Sequence, residues 1–290
     1  MHFQYPAKTS FTKVALALLL YEFLFQIGST VLIQHGGPIY QHEDITMITV
    51  SLFGLVLMLL LLSGDGIPKT QHARFRPWTY GWLLLLVYGL QALSSILLSP
   101  LEAFLHQQGF SMDYATEVAS GRMTGFFMIL YAVIVAPFVE ECLFRGLIFN
   151  VLRRYGRLFA IVISALLFAL MHGNLMQFLT ALFVGMLLAL IRERYGFGYA
   201  ILMHLSNNAF ALFFNNYGES STGISLLYMA FIYGGLLTVV VTLFTHLKKL
   251  RRFLRSEHSF PAMLKLWCTT PAVIVVTVLF VALTALSIVE

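Results

Sequence analysis

Residues Met123–Leu152 read MTGFFMILYAVIVAPFVEECLFRGLIFNVL. The run exceeds the ~20 apolar residues a helix needs to cross a bilayer, and its charges sit at one place, Glu140, Glu141 and Arg145. A surface helix of a soluble domain would carry a polar face along its whole length. Here the helix is apolar all round except at that place. The rest of the chain follows the same rule: of 290 residues, 59% are hydrophobic and only 11% charged, with a mean hydropathy of +0.83. A soluble domain has about 25% charged residues, so this chain lacks the polar groups to cover a soluble surface. It also holds too much apolar surface to remain disordered. The composition predicts an all-α polytopic membrane protein of about eight or nine transmembrane helices around a central helix bundle, with no large extramembrane domain.

Apolar runs lie at Phe11–Ile33, Asp44–Leu62, Tyr80–Leu98 and Met123–Leu152, then at Leu158–Leu175, Met176–Ile191, Phe197–Asn215, Ile224–His246 and Pro271–Val289. Between residues 158 and 191 only Met171-His172-Gly173-Asn174 interrupts the pattern, which predicts two short helices joined by a tight turn. Leu101–Tyr114 and Leu247–Leu254 place apolar residues on one side and read as interfacial segments; a solvated basic loop fits the second equally. The first run has no small-residue cleavage site after it and reads as an anchor rather than a signal peptide. The pattern divides the chain into N-terminal helices (1–122), a core (123–215), and C-terminal helices with a basic linker (216–290).

Of the 18 basic residues, all but Arg122 and Arg145 fall in alternate connections: Lys8 and Lys13, Lys69 to Arg76, Arg153 to Arg157, Arg192 and Arg194, and Lys248 to Lys265. The opposite connections hold Glu43, Asp44, Glu102, Asp113, Glu117 and Glu219. This is the positive-inside bias, and it predicts nine spans with a cytoplasmic N-terminus. The net charge of +5 is accounted for by that bias and points to no nucleic-acid partner. Cys142 and Cys268 fit neither a disulfide framework nor a zinc ribbon, and the apolar neighbours of Cys142 mark an inert thiol.

Ionisable groups inside hydrocarbon are costly, so each is a functional candidate. Glu141 and Arg145 are four apart and share a helix face, where they can pair. Glu140 is rotated about 100° away, which leaves one carboxylate held by arginine and one free to exchange a proton. Pro137, one turn earlier, loosens the backbone or is an ordinary membrane-helix proline. His172 closes the fifth run. His204 and Asn208, also four apart, lie in the seventh. Helical rise places Glu140 about 18 Å above Leu152, His172 about 21 Å above Leu158, and His204 and Asn208 roughly 10 and 16 Å above Phe197. Three helices therefore bring polar groups to similar depth, whereas Glu22 in the first run stands alone.

The chain has no His-Glu-x-x-His for a zincin, no Gly-x-Ser-Gly for a rhomboid-type serine, and no glycine two residues upstream of Gly64-Asp65 for an aspartyl type. What remains is water activated by a carboxylate, with imidazole and amide donors for an oxyanion.

Glu140-Glu141-x-x-x-Arg145, Phe168-x-x-x-His172 and His204-x-x-x-Asn208 occur in that order. Together they resemble the CPBP family of CAAX prenyl endopeptidases and bacteriocin-processing or immunity proteins, over roughly Met123–Asn215. The resemblance implies a glutamate-dependent intramembrane endopeptidase. By position Glu140 would be the general base, His172 would hold the attacking water, and His204 and Asn208 would donate to the oxyanion. Glu141 and Arg145 would position Glu140. Family members have also been described as metalloproteases, and Glu140, His172 and His204 would supply a two-histidine, one-carboxylate zinc set. A metal-free site with no cofactor uses every polar residue without further assumption and is the reading favoured here. The partners implied are the lipid bilayer and a membrane-associated protein or peptide substrate, prenylated or not, and a single chain of this kind suggests a bacterial cytoplasmic membrane. A non-catalytic scaffold or bacteriocin self-immunity partner is the alternative, using the same cluster for binding. A transporter would need the inverted repeat or broken-helix pair that this sequence does not show.

Overall fold

A computed structural model describes residues 6–63, 72–112, 117 and 123–288. Gly64-Asp65, Lys69, Asp113, Tyr114, Arg122, Val289 and Glu290 lie outside the described residues. Those described are helical, without β-strands. The helices are α1 (Ala7–His35), α2 (Glu43–Leu62), α3 (Pro77–Gln107), α4 (Phe126–Arg153), α5 (Arg157–Met171), α6 (Leu175–Tyr195), α7 (Phe197–Ser220), α8 (Thr222–Ser256), α9 (Phe260–Cys268) and α10 (Pro271–Ala285).

Among the described residues seven helices are long and apolar enough to cross a membrane, or eight if α9 and α10, bent by 75° at their junction, form one span. The nine-span reading exceeds this because α5 has 15 residues, short of the ~20 that span hydrocarbon. Neither interfacial segment is separate. Leu101–Gln107 continues α3 through Pro100, and Leu247–Leu254 continues α8, which runs unbroken for 35 residues.

The turn expected near residue 172 joins α5 to α6. Gly173, at φ 56°, takes the left-handed conformation that ends α5. Asn174 then caps α6, its Oδ1 accepting from the N–H groups of Met176 and Gln177 at 2.9 and 3.3 Å. The hairpin returns the chain to the end it left, where Glu193 Oε1 pairs with Arg153 at 2.7 Å and Arg157 at 3.3 Å. Other basic segments meet there: Ala73 N–H donates to Arg194 O, Tyr155 hydroxyl to Ser10, and Ser259 hydroxyl to Tyr155 O. The basic connections therefore gather at one end of the bundle.

Two apolar cores share α6. One joins α1, α2, α4, α5, α9 and α10 through residues such as Phe11, Met58, Phe144, Phe159, Trp267 and Phe280. The second joins α3, α6 and α7 around Val87, Leu188 and Met203, with α8 packed against it. At the α3–α8 crossing Gly89 and Gly235 stand backbone to backbone, so close that a Cβ on either would overlap the other's backbone. Small residues at crossings permit this approach in membrane helices, where van der Waals packing rather than hydrophobic exclusion joins them.

Candidate active site

α4 carries the acidic motif and departs from regular α geometry on both sides of it. Tyr131–Val135 and Cys142–Ile148 are π-helical, flanking Ala136–Glu141. In the first π segment each N–H reaches back five residues, as Ala136 N–H does to Tyr131 O. The next in register is Pro137, which has no N–H, so Ala132 O lacks its backbone donor. Asn208 of α7 fills the place, its Nδ2 donating to Ala132 O at 3.0 Å. Within the second π segment the Arg145 carbonyl accepts from Arg192 Nε of α6 at 3.0 Å. Neighbouring helices thus satisfy carbonyls in both irregular turns, as buried backbone requires.

Glu141 and Arg145 are fully buried and pair at 3.1 Å between Oε1 and Nη1. Arg145 Nη2 also donates to Gly185 O at 3.2 Å. A Cβ at Gly185 would stand 3.1 Å from both Arg145 Nη2 and Phe168 Cδ1, so glycine lets α6 approach. The Phe168 ring lies 4.2 Å from the guanidinium carbon, a cation–π contact. It meets His172 and His204 edge-on, at 4.8 and 5.8 Å between centroids. The phenylalanine of the second motif is therefore the spacer between both histidines and the arginine.

His204 Nδ1 is 2.9 Å from Glu141 Oε1, and its Nε2 is 3.6 Å from Glu140 Oε2. A carboxylate paired with arginine accepts, so Nδ1 carries the proton and Nε2 is the nitrogen that faces Glu140. His172 Nδ1 lies 2.8 Å from Phe168 O, which can only accept. In neutral His172 the lone pair is accordingly on Nε2.

Glu140 and His172 line one cavity of about 170 Å³ together with Tyr131 and with Glu22 of α1. The lone Glu22 of the sequence is thus part of the same chamber. Its position was not legible because the packing of α1 on α2 and α4 is non-local. His204 and Asn208 are not in that lining. The structure brings Glu140, Glu141, Arg145 and His204 into direct contact, sets His172 with Glu140 in the lining of one cavity, and engages Asn208 with the α4 backbone. Cys142 is a free thiol outside the lining. Sequence reasoning missed Gly185 and Arg192. Arg192, a buried cation near the end of a span, was the available signal for the second.

As arranged, Glu140, His172 and His204 do not form a metal set; among the described residues no three His, Cys, Asp or Glu side chains group to hold an ion.

The fold defines an all-helical integral membrane protein. Residues 122–210 match the family described as type II CAAX prenyl endopeptidase Rce1-like, and every residue of the three motifs lies inside that segment. The resemblance to CAAX-type intramembrane proteases and related membrane proteins is borne out there. A curated relative is the UPF0177 protein YvdC of Lactococcus lactis subsp. lactis (strain IL1403), 27% identical over 182 residues, which cover 60% of this chain and 68% of that protein. No solved structure matches.

Proposed function

We propose that this protein is an intramembrane endopeptidase in which Glu140 activates water against a peptide bond of a membrane-associated protein or peptide. The observation that carries the reading is the chain Arg145–Glu141–His204–Glu140, buried as far as His204 and ending on a half-buried carboxylate that lines a cavity. An ion pair kept only for packing would need no histidine leading from it to a second carboxylate.

Water bound between Glu140 and His172 Nε2 attacks the carbonyl carbon as Glu140 takes its proton. The tetrahedral oxyanion is stabilised by donors from the α7 side, the second amide N–H of Asn208 and, once Nε2 has taken a proton, the Nε2–H of His204, each worth about 3–4 kcal/mol when well placed. The C–N bond then breaks and the proton passes from Glu140 to the leaving nitrogen, giving a carboxylate and an amine. Glu141 and Arg145 hold His204 and therefore act through it. Among the described residues no three potential ligands group to hold a metal. Collection of the basic connections at one end supports a cytoplasmic N-terminus in a bacterial membrane, with substrate entering from that side.

Cleavage of a membrane-tethered reporter by purified protein in vesicles tests the proposal. Glu140→Gln should abolish cleavage with expression and thermal stability intact; persistence of cleavage refutes it. A non-catalytic scaffold or self-immunity role has one observation in its favour, the engagement of Asn208 with the Ala132 carbonyl. Under that reading the cellular phenotype survives both Glu140→Gln and His172→Ala.

A further inference from the structure

The part of the cavity lining that α1 and α2 supply has chemistry of its own. Glu22 is 8% exposed, and its Oε1 accepts from Gln26 Nε2 at 2.8 Å. Among the described residues it has no cation within ion-pair distance, although a buried carboxylate ordinarily has one. The neighbouring donors are committed elsewhere. Gln26 Nε2 donates to Glu22, the Ser51 hydroxyl to Ile48 O at 3.0 Å, and His172 Nδ1 to Phe168 O. The polar atoms these hydrogen bonds leave over on lining residues are mostly acceptors: the second Glu22 oxygen, Gln26 Oε1, Ser51 lone pairs and His172 Nε2, and Glu140 lines the same cavity. The donors left are two tyrosine hydroxyls and one N–H of Gln26, none of them charged. Among the described residues no lysine or arginine lines the chamber. Its volume of about 170 Å³ far exceeds the ~10–15 Å³ that one water requires.

We propose that this part of the lining is a specificity pocket for a cationic side chain of the substrate, the ammonium of lysine or the guanidinium of arginine, held by Glu22 with Gln26 and Ser51. An acceptor-rich chamber in low dielectric, with a carboxyl that has no cation of its own, is complementary to a donor-only cation. Segments flanking membrane anchors on the cytoplasmic face are rich in such residues. The pocket adjoins Glu140, so the selected residue flanks the bond to be cut. This rests on the endopeptidase reading for its biological meaning, but the binding chemistry is testable alone.

The probes are palmitoylated tetrapeptide amides in pairs, with lysine or norleucine placed at each position in turn, titrated into the full-length protein in nanodiscs. At one position the lysine peptide should bind at least tenfold more tightly than its norleucine twin. In Glu22→Gln that ratio should fall below twofold, with norleucine affinity unchanged. In the wild type, n-butylammonium should displace the lysine peptide and n-butanol should not, which keeps the test decisive if Glu22→Gln folds poorly. Equal affinities at every position, no binding of either twin, or a preference retained in folded Glu22→Gln overturns the pocket. The two readings fail separately. A protein that binds the lysine peptide yet cleaves no reporter loses the protease assignment alone, and one that cleaves without cation preference loses the pocket alone.

Discussion

His204 donates its Nδ1–H to Glu141 at 2.9 Å, on the same oxygen that lies 3.1 Å from Arg145. One carboxylate oxygen thus ties α4 to α7 and fixes which imidazole nitrogen faces Glu140. Breaking a buried pair from one side leaves an uncompensated charge, which costs about 3–5 kcal/mol. Glu141→Gln and Arg145→Met should each lower thermal stability in detergent by that order. The double variant should lose less than the sum, since it strands neither charge; strict additivity in a double-mutant cycle would refute the coupling.

Gly185 is where α6 comes close enough to accept from Arg145. Gly185→Ala adds a methyl 3.1 Å from Arg145 Nη2 and Phe168 and should cost about 1–3 kcal/mol as overpacking, with a matching fall in reporter cleavage. Gly198→Ala on α7, where a Cβ would meet nothing within 4 Å, is the control and should leave both unchanged. Equal effects of the two would show that α6 has room to yield.

Both His204 nitrogens face glutamates, and His172 offers only Nε2. Binding zinc through Glu140, His172 and His204 would require drawing the three together, since among the described residues they do not group to hold an ion. Cleavage should therefore continue after exhaustive chelation, with less than one zinc per chain by elemental analysis. Loss of cleavage on chelation and recovery with zinc would overturn the metal-free mechanism.

Much of the site was legible because its chemistry is local. Glu141 with Arg145 and His204 with Asn208 are four apart, and helical rise puts them near one depth. The Met171–Asn174 turn was legible for the same reason, since glycine and a capping asparagine act within one turn. Glu22 was not, because its meaning depends on which wall of which chamber α1 supplies. The π segments were not either. Only Pro137 hinted at them, and a proline does not state whether its missing N–H bends a helix or is replaced from outside. The reach of α3 and α8 past their apolar stretches likewise escaped a reading that sought a break at each change of polarity.

Asn208 was expected to serve the oxyanion, whereas its Nδ2 bonds the carbonyl that Pro137 leaves open. The two roles can be separated. Asn208→Ala alone strands a buried carbonyl and should cost about 1–3 kcal/mol. Pro137→Ala restores an N–H in register with Ala132 O, so in that background the same change should cost about 1 kcal/mol less. Stability thus returns in the double variant, but an oxyanion donor does not. If Asn208 also stabilises the intermediate, cleavage should stay down by about 10²–10³-fold in a protein whose melting temperature has recovered. Recovery of both would confine Asn208 to holding the backbone of α4 and leave oxyanion stabilisation on the α7 side to His204.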